Sequence, residues 1–277
     1  MKTVNICLIA CLFASFTWSE LHADPAPTAE DAGLMVGSPP PPDKIVTLDN
    51  FLQAPHNRWS LMHMRELVPT RNVPRGRQQM KIPRKPVDLS GLEVDLGGGR
   101  MVTVGDWLEE AYTDGFIVLH DGNMVFEKYY NGHTAGVQHL MFSVTKSFTG
   151  TMMLMLMDEG RVDGSATVGS YLPELADTAF GDATVQQMLD MTNSIAYDED
   201  YNNPDADIAG FLAAMLPGGE GLYANLQGLK NTDPKFRHGE AFHYVTPDTE
   251  VLGWIIRRVS GENLAEVLHR MIWSRMG

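Results

Sequence analysis

The stretch Ser143-Val-Thr-Lys-Ser-Phe-Thr-Gly-Thr-Met-Met-Leu-Met-Leu-Met157 decides how the rest of the sequence is interpreted. It predicts one helix that begins near Ser143, and the following Asp158-Glu-Gly160 predicts where that helix ends. From Met152 onward the residues are apolar on every helical face, which predicts that this part of the helix is buried. The polar side chains are gathered at the N-terminal end, so any chemistry of this helix is expected there.

Ser143 and Lys146 are three residues apart, so they lie on one face of the predicted helix and the lysine amine can reach the serine hydroxyl. The dipole at the helix N-terminus favours a developing oxyanion, and apolar surroundings favour the neutral amine that a general base requires. A Ser-x-x-Lys pair also arises by chance in chains of this length. The pair alone therefore favours the ordinary interpretation, a helix start with an exposed lysine.

A second segment, His243-Tyr-Val-Thr246, stands at the start of another predicted helix, which runs from Thr246 to Val259. A tyrosine at this point can direct its phenol into the same cleft as Ser143. A phenol near a lysine can carry a proton to a leaving group. Considered alone, Tyr244 also fits a half-buried packing residue, so its value as a signal depends on the first segment.

The remaining pattern predicts more helix than strand. Two apolar runs around Asp121-Gly-Asn123 predict a β-hairpin of Phe116–His120 and Met124–Tyr130. Tyr197–Pro204 is predicted to be a polar, acidic loop. Further helices are predicted at Arg58–Leu67, Thr103–Tyr112, Val168–Leu172, Val185–Met191 and from Leu264 to about Trp273. One hairpin is little sheet for so much helix, so either further strands escape detection or the sequence ends before them.

Composition limits the classes of partner. The chain has 277 residues, of which 44% are hydrophobic and 20% charged, a balance that predicts a globular protein with a sizeable core. The formal net charge of -14 argues against nucleic acid as a partner, because phosphate binding needs clustered lysine and arginine. A small-molecule substrate is compatible with this charge.

The first 23 residues differ from the rest, with an early lysine, an apolar run and a small residue at Ala23. They predict a secretory signal peptide that is cleaved near Ala23, and hence a secreted or periplasmic protein. The run is too short to span a membrane, and a lipoprotein anchor at Cys11 is the less favoured alternative. Because Cys7 and Cys11 both lie in this segment, the mature chain would lack a thiol nucleophile and a disulfide. Residues 24–86, rich in proline, are predicted to form a leader that wraps the domain.

Several stretches together resemble the serine β-lactamase and penicillin-binding-protein superfamily. Within it the sequence is most similar to the class C-related branch of esterases, peptidases and 6-aminohexanoate-dimer (nylon oligomer) hydrolases. The likeness runs from about Asn57 to the C-terminus. The stretches that carry it are Asn57–Ser60, His63–Thr70, Leu119–Gly122, Phe142–Gly150 and Phe242–Trp254.

The resemblance implies an α+β fold of the β-lactamase/transpeptidase type, in which helices flank an antiparallel sheet beside a mainly helical subdomain. Residues 87–277 would form this serine hydrolase domain. It implies that Ser143 is the acylated nucleophile, Lys146 its base and Tyr244 the tyrosine of the second family motif. The predicted substrate is a small-molecule amide or ester, and the mechanism needs no metal or cofactor.

The resemblance also implies three substrate-binding residues. Thr246 stands where many members have asparagine in a Tyr-x-Asn motif, and this departure argues against β-lactam hydrolysis and favours an esterase or amidase. Tyr201 is similar to a loop tyrosine that closes on substrate in the nylon-oligomer hydrolases, and Glu199 lies near it in sequence. Both residues also fit a solvated acidic loop.

A third family motif, Lys/His-Thr/Ser-Gly on an inner strand, does not occur after the second motif in this sequence, so we expect a C-terminally incomplete domain that lacks the family's last strands. One alternative is therefore a penicillin-binding or sensor-type protein without turnover, or an inactive truncated member of the same fold. Another is a metalloenzyme, but the spacings His133/His139 and His238/His243 suit no common metal site.

Overall fold

The computed structural model describes Pro27 to Met276, and the predicted signal peptide of residues 1–23 lies outside the described residues. Two compact units are present. The hairpin unit comprises the described residues 27–70 and 80–140, and the helical unit comprises 71–79 and 141–276. The domain boundaries at residues 24 and 87 remain predictions from sequence.

The hairpin unit contains two small antiparallel sheets, each with two strands among the described residues. Strand β1 pairs with β2, and β3 pairs with β4 through a register shift between Val118 and Leu119. The elements in chain order are α1 (Asn57–Leu67), β1 (Glu93–Asp95), β2 (Met101–Thr103), α2 (Val104–Glu110), β3 (Gly115–His120) and β4 (Asn123–Tyr129). The predicted hairpin is confirmed as β3–β4, and the β1–β2 hairpin was not predicted because its strands are too short to show alternation.

Helix α1 ties the leader to the rest of the hairpin unit. Its Arg58 guanidinium lies 3.0 Å from the carboxylate of Asp114, which precedes β3, and both side chains are largely buried. Trp59 packs with Leu34 and Val46 in a small apolar cluster of the leader. The leader therefore has a core of its own, and the predicted helix over Arg58–Leu67 is confirmed with one additional residue at its start.

The helical unit is built almost entirely of helices. Its helices are α3 (Val144–Asp158), α4 (Val168–Tyr171), α5 (Val185–Leu189), α6 (Asp207–Met215), α7 (Leu222–Gly228), α8 (Thr246–Ser260), α9 (Leu264–Leu268) and α10 (Ser274–Met276). A 3₁₀ turn at Pro173–Leu175 and a π-helical turn at His269–Trp273 complete it. Helices α6 and α7 fall where no helix was predicted, and α3, α4, α5, α8 and α9 lie at their predicted places.

The core of the helical unit lies between α3 and α8. Met153 and Leu156 of α3 and Ile255 and Ile256 of α8 are fully buried there. The prediction that α3 is buried on every face is wrong, because Leu154 is 53% exposed. At 3.6 residues per turn, positions 153 and 156 share a side of the helix that position 154 does not, and only that side meets α8.

The observed combination of helices with antiparallel strands confirms the predicted α+β class. Among the described residues, no helix combines the length and the apolar character that crossing a bilayer needs.

Candidate active site

Ser143 and Lys146 meet at the start of α3. Ser143 is the residue that immediately precedes the helix, with φ -67° and ψ -10°. Its hydroxyl does not cap the helix with any described backbone N–H, although serine is a favoured capping residue. Instead Oγ accepts a hydrogen bond of 2.9 Å from Lys146 Nζ. The hydroxyl is thus in direct contact with the amine of Lys146, and Ser143 is exposed to solvent.

The backbone around Ser143 is strained. Phe142, directly before it, has φ 45°, in the left-handed region that bulky residues rarely adopt. Such conformations cluster at functional sites because the surrounding structure must hold them. No partner for the Ser143 N–H is found among the described residues, so this N–H is available to an oxyanion.

Tyr244 completes the group of three. It lies two residues before α8, and its ring centroid is 5.3 Å from Lys146 Nζ. At this distance the ring face attracts the protonated form of the amine through its quadrupole. Tyr244 is 36% exposed, so part of the residue remains accessible to solvent. The structure therefore brings together the three residues that the sequence singled out as catalytic.

The three residues that were predicted to bind substrate form a second cluster around one carboxylate. Glu199 accepts hydrogen bonds from the Thr246 N–H at 2.7 Å, from the Thr246 hydroxyl and from the Tyr201 hydroxyl at 2.9 Å. Burial raises the pKa of Tyr201 to about 12; the Glu199 carboxylate adds to this shift and the contact with Thr246 opposes it. The phenol of Tyr201 therefore stays protonated across the neutral range.

A buried acid in α8 was not predicted. Asp248 has no exposed surface and accepts a hydrogen bond from the Asn193 side-chain amide. Burial raises the pKa of Asp248 well above its usual value; the Asn193 hydrogen bond opposes this, and the nearby charge of Glu199 adds to it. An aspartate in the first turn of a helix ordinarily indicates an exposed dipole partner, so the sequence offered no signal of burial.

Glu250 lies one turn along α8 from Thr246. It is a second acid whose burial the sequence did not predict. Burial raises the pKa of Glu250, and the positive charge of Lys146 opposes the shift. The amine of Lys146 therefore lies within electrostatic reach of an acid of α8 as well as of Ser143. The two acids of α8 differ in their surroundings, since Asp248 accepts a hydrogen bond from an amide and Glu250 is influenced by the side chain of Lys146.

Another serine, histidine and aspartate also lie together in the helical unit. The His238 ring contacts the Ser194 hydroxyl at 3.4 Å and the Asp182 carboxylate at 3.2 Å. However, Ser194 is only 3% exposed, so a substrate carbonyl has no approach to it. The arrangement is a structural contact. No cluster of three or more metal-ligating side chains is present in the described part of the chain.

The fold and the Ser143–Lys146–Tyr244 arrangement define an α+β protein with a Ser–Lys–Tyr site. A family model described as "Beta-lactamase" matches residues 108–277, so the chain belongs to the β-lactamase family. This confirms the family and the fold that the sequence motifs predicted.

Two relatives refine the comparison. The chain is 35% identical over 236 residues to the 6-aminohexanoate-dimer hydrolase of Paenarthrobacter ureafaciens, which covers 83% of this chain and 58% of that protein. A solved structure titled "Putative 6-aminohexanoate-dimer hydrolase from Bacillus anthracis" is 33% identical with a TM-score of 0.74, over 82% of this chain and 61% of that one. The chain thus spans about three-fifths of the length of these relatives.

Proposed function

We propose that this protein is a serine hydrolase that cleaves an amide or ester bond through an acyl-enzyme on Ser143. The observation that carries the proposal is the 2.9 Å hydrogen bond from Lys146 Nζ to Ser143 Oγ, made at the N-terminus of a 15-residue helix. Membership of the β-lactamase family supports the same reaction class.

The reaction begins when Ser143 Oγ attacks the substrate carbonyl and its proton passes to Lys146. The negative charge that develops on the carbonyl oxygen is stabilised by the Ser143 N–H and by the N-terminus of α3. The carbonyl then re-forms, the bond to the leaving group breaks, and the Tyr244 phenol relays the proton from Lys146 to that group. Water then attacks the acyl ester on Ser143, and the same residues take a proton from that water. The ester bond breaks, the proton passes to Ser143 Oγ, and the acid is released.

The substrate class that we propose is a small linear amide, or the corresponding ester. The support is the name of the two relatives, which refers to hydrolysis of a 6-aminohexanoate dimer. Tyr201 is exposed near the Tyr244 turn, since its hydroxyl and the Thr246 N–H bind the same Glu199 carboxylate, and from there it can reach a substrate bound at Ser143. No cofactor takes part in the proposed steps.

Export from the cytoplasm is a further part of the proposal. It rests on the signal-peptide pattern of residues 1–23 in the sequence. N-terminal sequencing of the mature protein checks it, and a start at or next to Asp24 is the expected result.

Labelling with a serine-reactive fluorophosphonate, followed by mass mapping, tests the nucleophile. Wild type and Ser147→Ala should carry the label on the peptide that contains Ser143, and Ser143→Ala should carry none. Ser147 is a matched control because it is an exposed serine on the same helix, one turn further along. Equal labelling of wild type and Ser143→Ala would refute the proposal. Steady release of product from a nitrophenyl ester, beyond one equivalent, separates a hydrolase from a protein that is only acylated.

A further inference from the structure

We infer that Glu199 is a positioning residue, which holds the Tyr244 turn in place through Thr246 instead of contacting the substrate. The inference rests on the proposed function, because it concerns the residue that relays the proton there. It changes the role that the family resemblance implied for Glu199 and Thr246.

Most of the hydrogen-bonding capacity of the Glu199 carboxylate is already occupied within the protein. An ionised carboxylate offers about four lone-pair positions, and three donors already occupy this one. Two of the three come from a single residue, Thr246, which lies two positions after Tyr244. Such a two-point contact fixes both the backbone and the side chain of Thr246. Little hydrogen-bonding capacity remains for a ligand.

Helix α8 begins without a capping side chain of its own. The first N–H groups of a helix lack partners within the helix, and a side chain just before it usually accepts from one of them. Here that position is Val245, whose side chain has no acceptor. Glu199 supplies the missing acceptor from a distant part of the chain by binding the Thr246 N–H. A negative group at this end of the helix is also favoured by the dipole.

The loop of residues 191–199, which contains Glu199, also binds the chain on both sides of Tyr244. Residues 191–199 make hydrogen bonds with His243, which precedes Tyr244, and with Thr246 and Asp248, which follow it. Tyr244 itself has no hydrogen bond within the described residues. The other polar contacts of this kind are the His243 N–H with the Met191 carbonyl at 2.7 Å, the His243 ring with the Tyr197 carbonyl at 3.2 Å, and the Asn193 amide with Asp248. The loop therefore sets where the phenol lies relative to Lys146.

The expected effect of losing this support is kinetic. A misplacement of about 1 Å in a catalytic group can lower a rate by roughly a hundredfold. A substrate-binding residue behaves differently, since its loss raises KM for substrates long enough to reach it and spares the smallest ones. The acylation rate with a small reagent therefore distinguishes the two roles.

The experiment compares Glu199→Gln, Thr246→Val and Thr246→Ser in the full chain, using p-nitrophenyl acetate and a small fluorophosphonate. Thr246→Val keeps the shape and removes the hydroxyl, whereas Thr246→Ser keeps the hydroxyl. Glu220→Gln, a change at an exposed glutamate of the same unit, is the control for loss of one charge.

We expect Glu199→Gln and Thr246→Val to lower kcat and the labelling rate of Ser143 by roughly tenfold or more, with KM changed less than about twofold. The double variant should be little worse than either single variant, because the two residues act through one contact. Thr246→Ser and Glu220→Gln should stay within about twofold of wild type. Thermal melts identify any variant that is unfolded. If Glu199→Gln is unfolded, the comparison of Thr246→Val with Thr246→Ser still tests whether the hydroxyl that Glu199 binds is needed for acylation.

Two results would overturn the inference. One is an unchanged acylation rate of Glu199→Gln with the small reagents, and the other is a change confined to KM. Failure of the proposed function looks different, since wild type itself would then not be labelled at Ser143.

Discussion

Asn193 donates a hydrogen bond from its side-chain amide to Asp248, and neither side chain has exposed surface. The second carboxyl oxygen of Asp248 has no partner among the described residues. A carboxylate that is buried with a single neutral donor is poorly compensated, which is why burial raises the pKa of Asp248. The pair joins the loop before Glu199 to the first turn of α8.

The raised pKa of Asp248 predicts a pH dependence of stability. The neutral carboxyl favours the folded state, and this contribution is complete below the ordinary pKa of 3.8 and is lost as the pH rises through the higher folded value. The side chain at position 248 of Asp248→Asn cannot ionise. The free energy of unfolding of this variant should therefore increase relative to that of wild type as the pH rises from about 4 towards neutrality. Urea unfolding across this range measures the difference. Asp177→Asn, at an exposed position, should parallel wild type, and a parallel curve for Asp248→Asn would contradict the assignment.

Removal of the amine at position 146 should greatly slow the acylation of Ser143. Lys146→Met keeps the length of the side chain but leaves the Ser143 hydroxyl without its base, so labelling by a fluorophosphonate should fall by roughly a hundredfold or more. The rate of labelling, measured by mass spectrometry, gives the result. Lys235→Met, whose amine is well exposed, should label as wild type does. A Lys146→Met variant that labels at the normal rate would exclude Lys146 as the base.

The phenol of Tyr244 can be tested with its ring retained. Tyr244→Phe keeps the surface against Lys146 but removes the proton relay, so kcat for amides should fall by about a hundredfold. Activated nitrophenyl esters need less help at the leaving group and should lose much less. Tyr223→Phe, at an exposed tyrosine of α7, is the matched control. Equal losses for amide and activated ester would argue against a role at the leaving group.

The two faces of α3 should differ in their contribution to stability. Leu156→Ala leaves a cavity against α8 and should cost about 2–5 kcal/mol in the free energy of unfolding. Leu154→Ala, on the exposed face, should change it by less than about 0.5 kcal/mol. Chemical denaturation of both variants provides the comparison. Similar losses at the two positions would mean that the outer face is also covered in solution.

The sequence predicted what depends on local spacing. Ser143 and Lys146 are three residues apart on one helix, so their contact follows from helical geometry. The position of Tyr244, by contrast, rests on family resemblance, because nothing local relates residues 101 positions apart. Helices α6 and α7 were missed, and the outer face of α3 was wrongly placed in the core.

The polar contacts behind the site could not be predicted from spacing. Asn193 and Asp248 are 55 residues apart, and Glu199 and Thr246 are 47 apart. Each of these residues is of a type that is common on surfaces, so composition gives no warning of burial or pairing. Such contacts depend on how the loop of residues 191–199 packs against α8, which only the folded chain specifies.

The left-handed backbone at Phe142 implies that one substitution there would raise stability and lower activity. A glycine there would relieve a conformational cost of about 1–3 kcal/mol, and a selection for heat resistance alone would favour that exchange. The same exchange would loosen the chain immediately before the nucleophile, since glycine permits many more backbone angles. Engineering of this protein for thermal tolerance is therefore better directed to positions far from residue 142, and natural variation at that residue should track the demand for turnover.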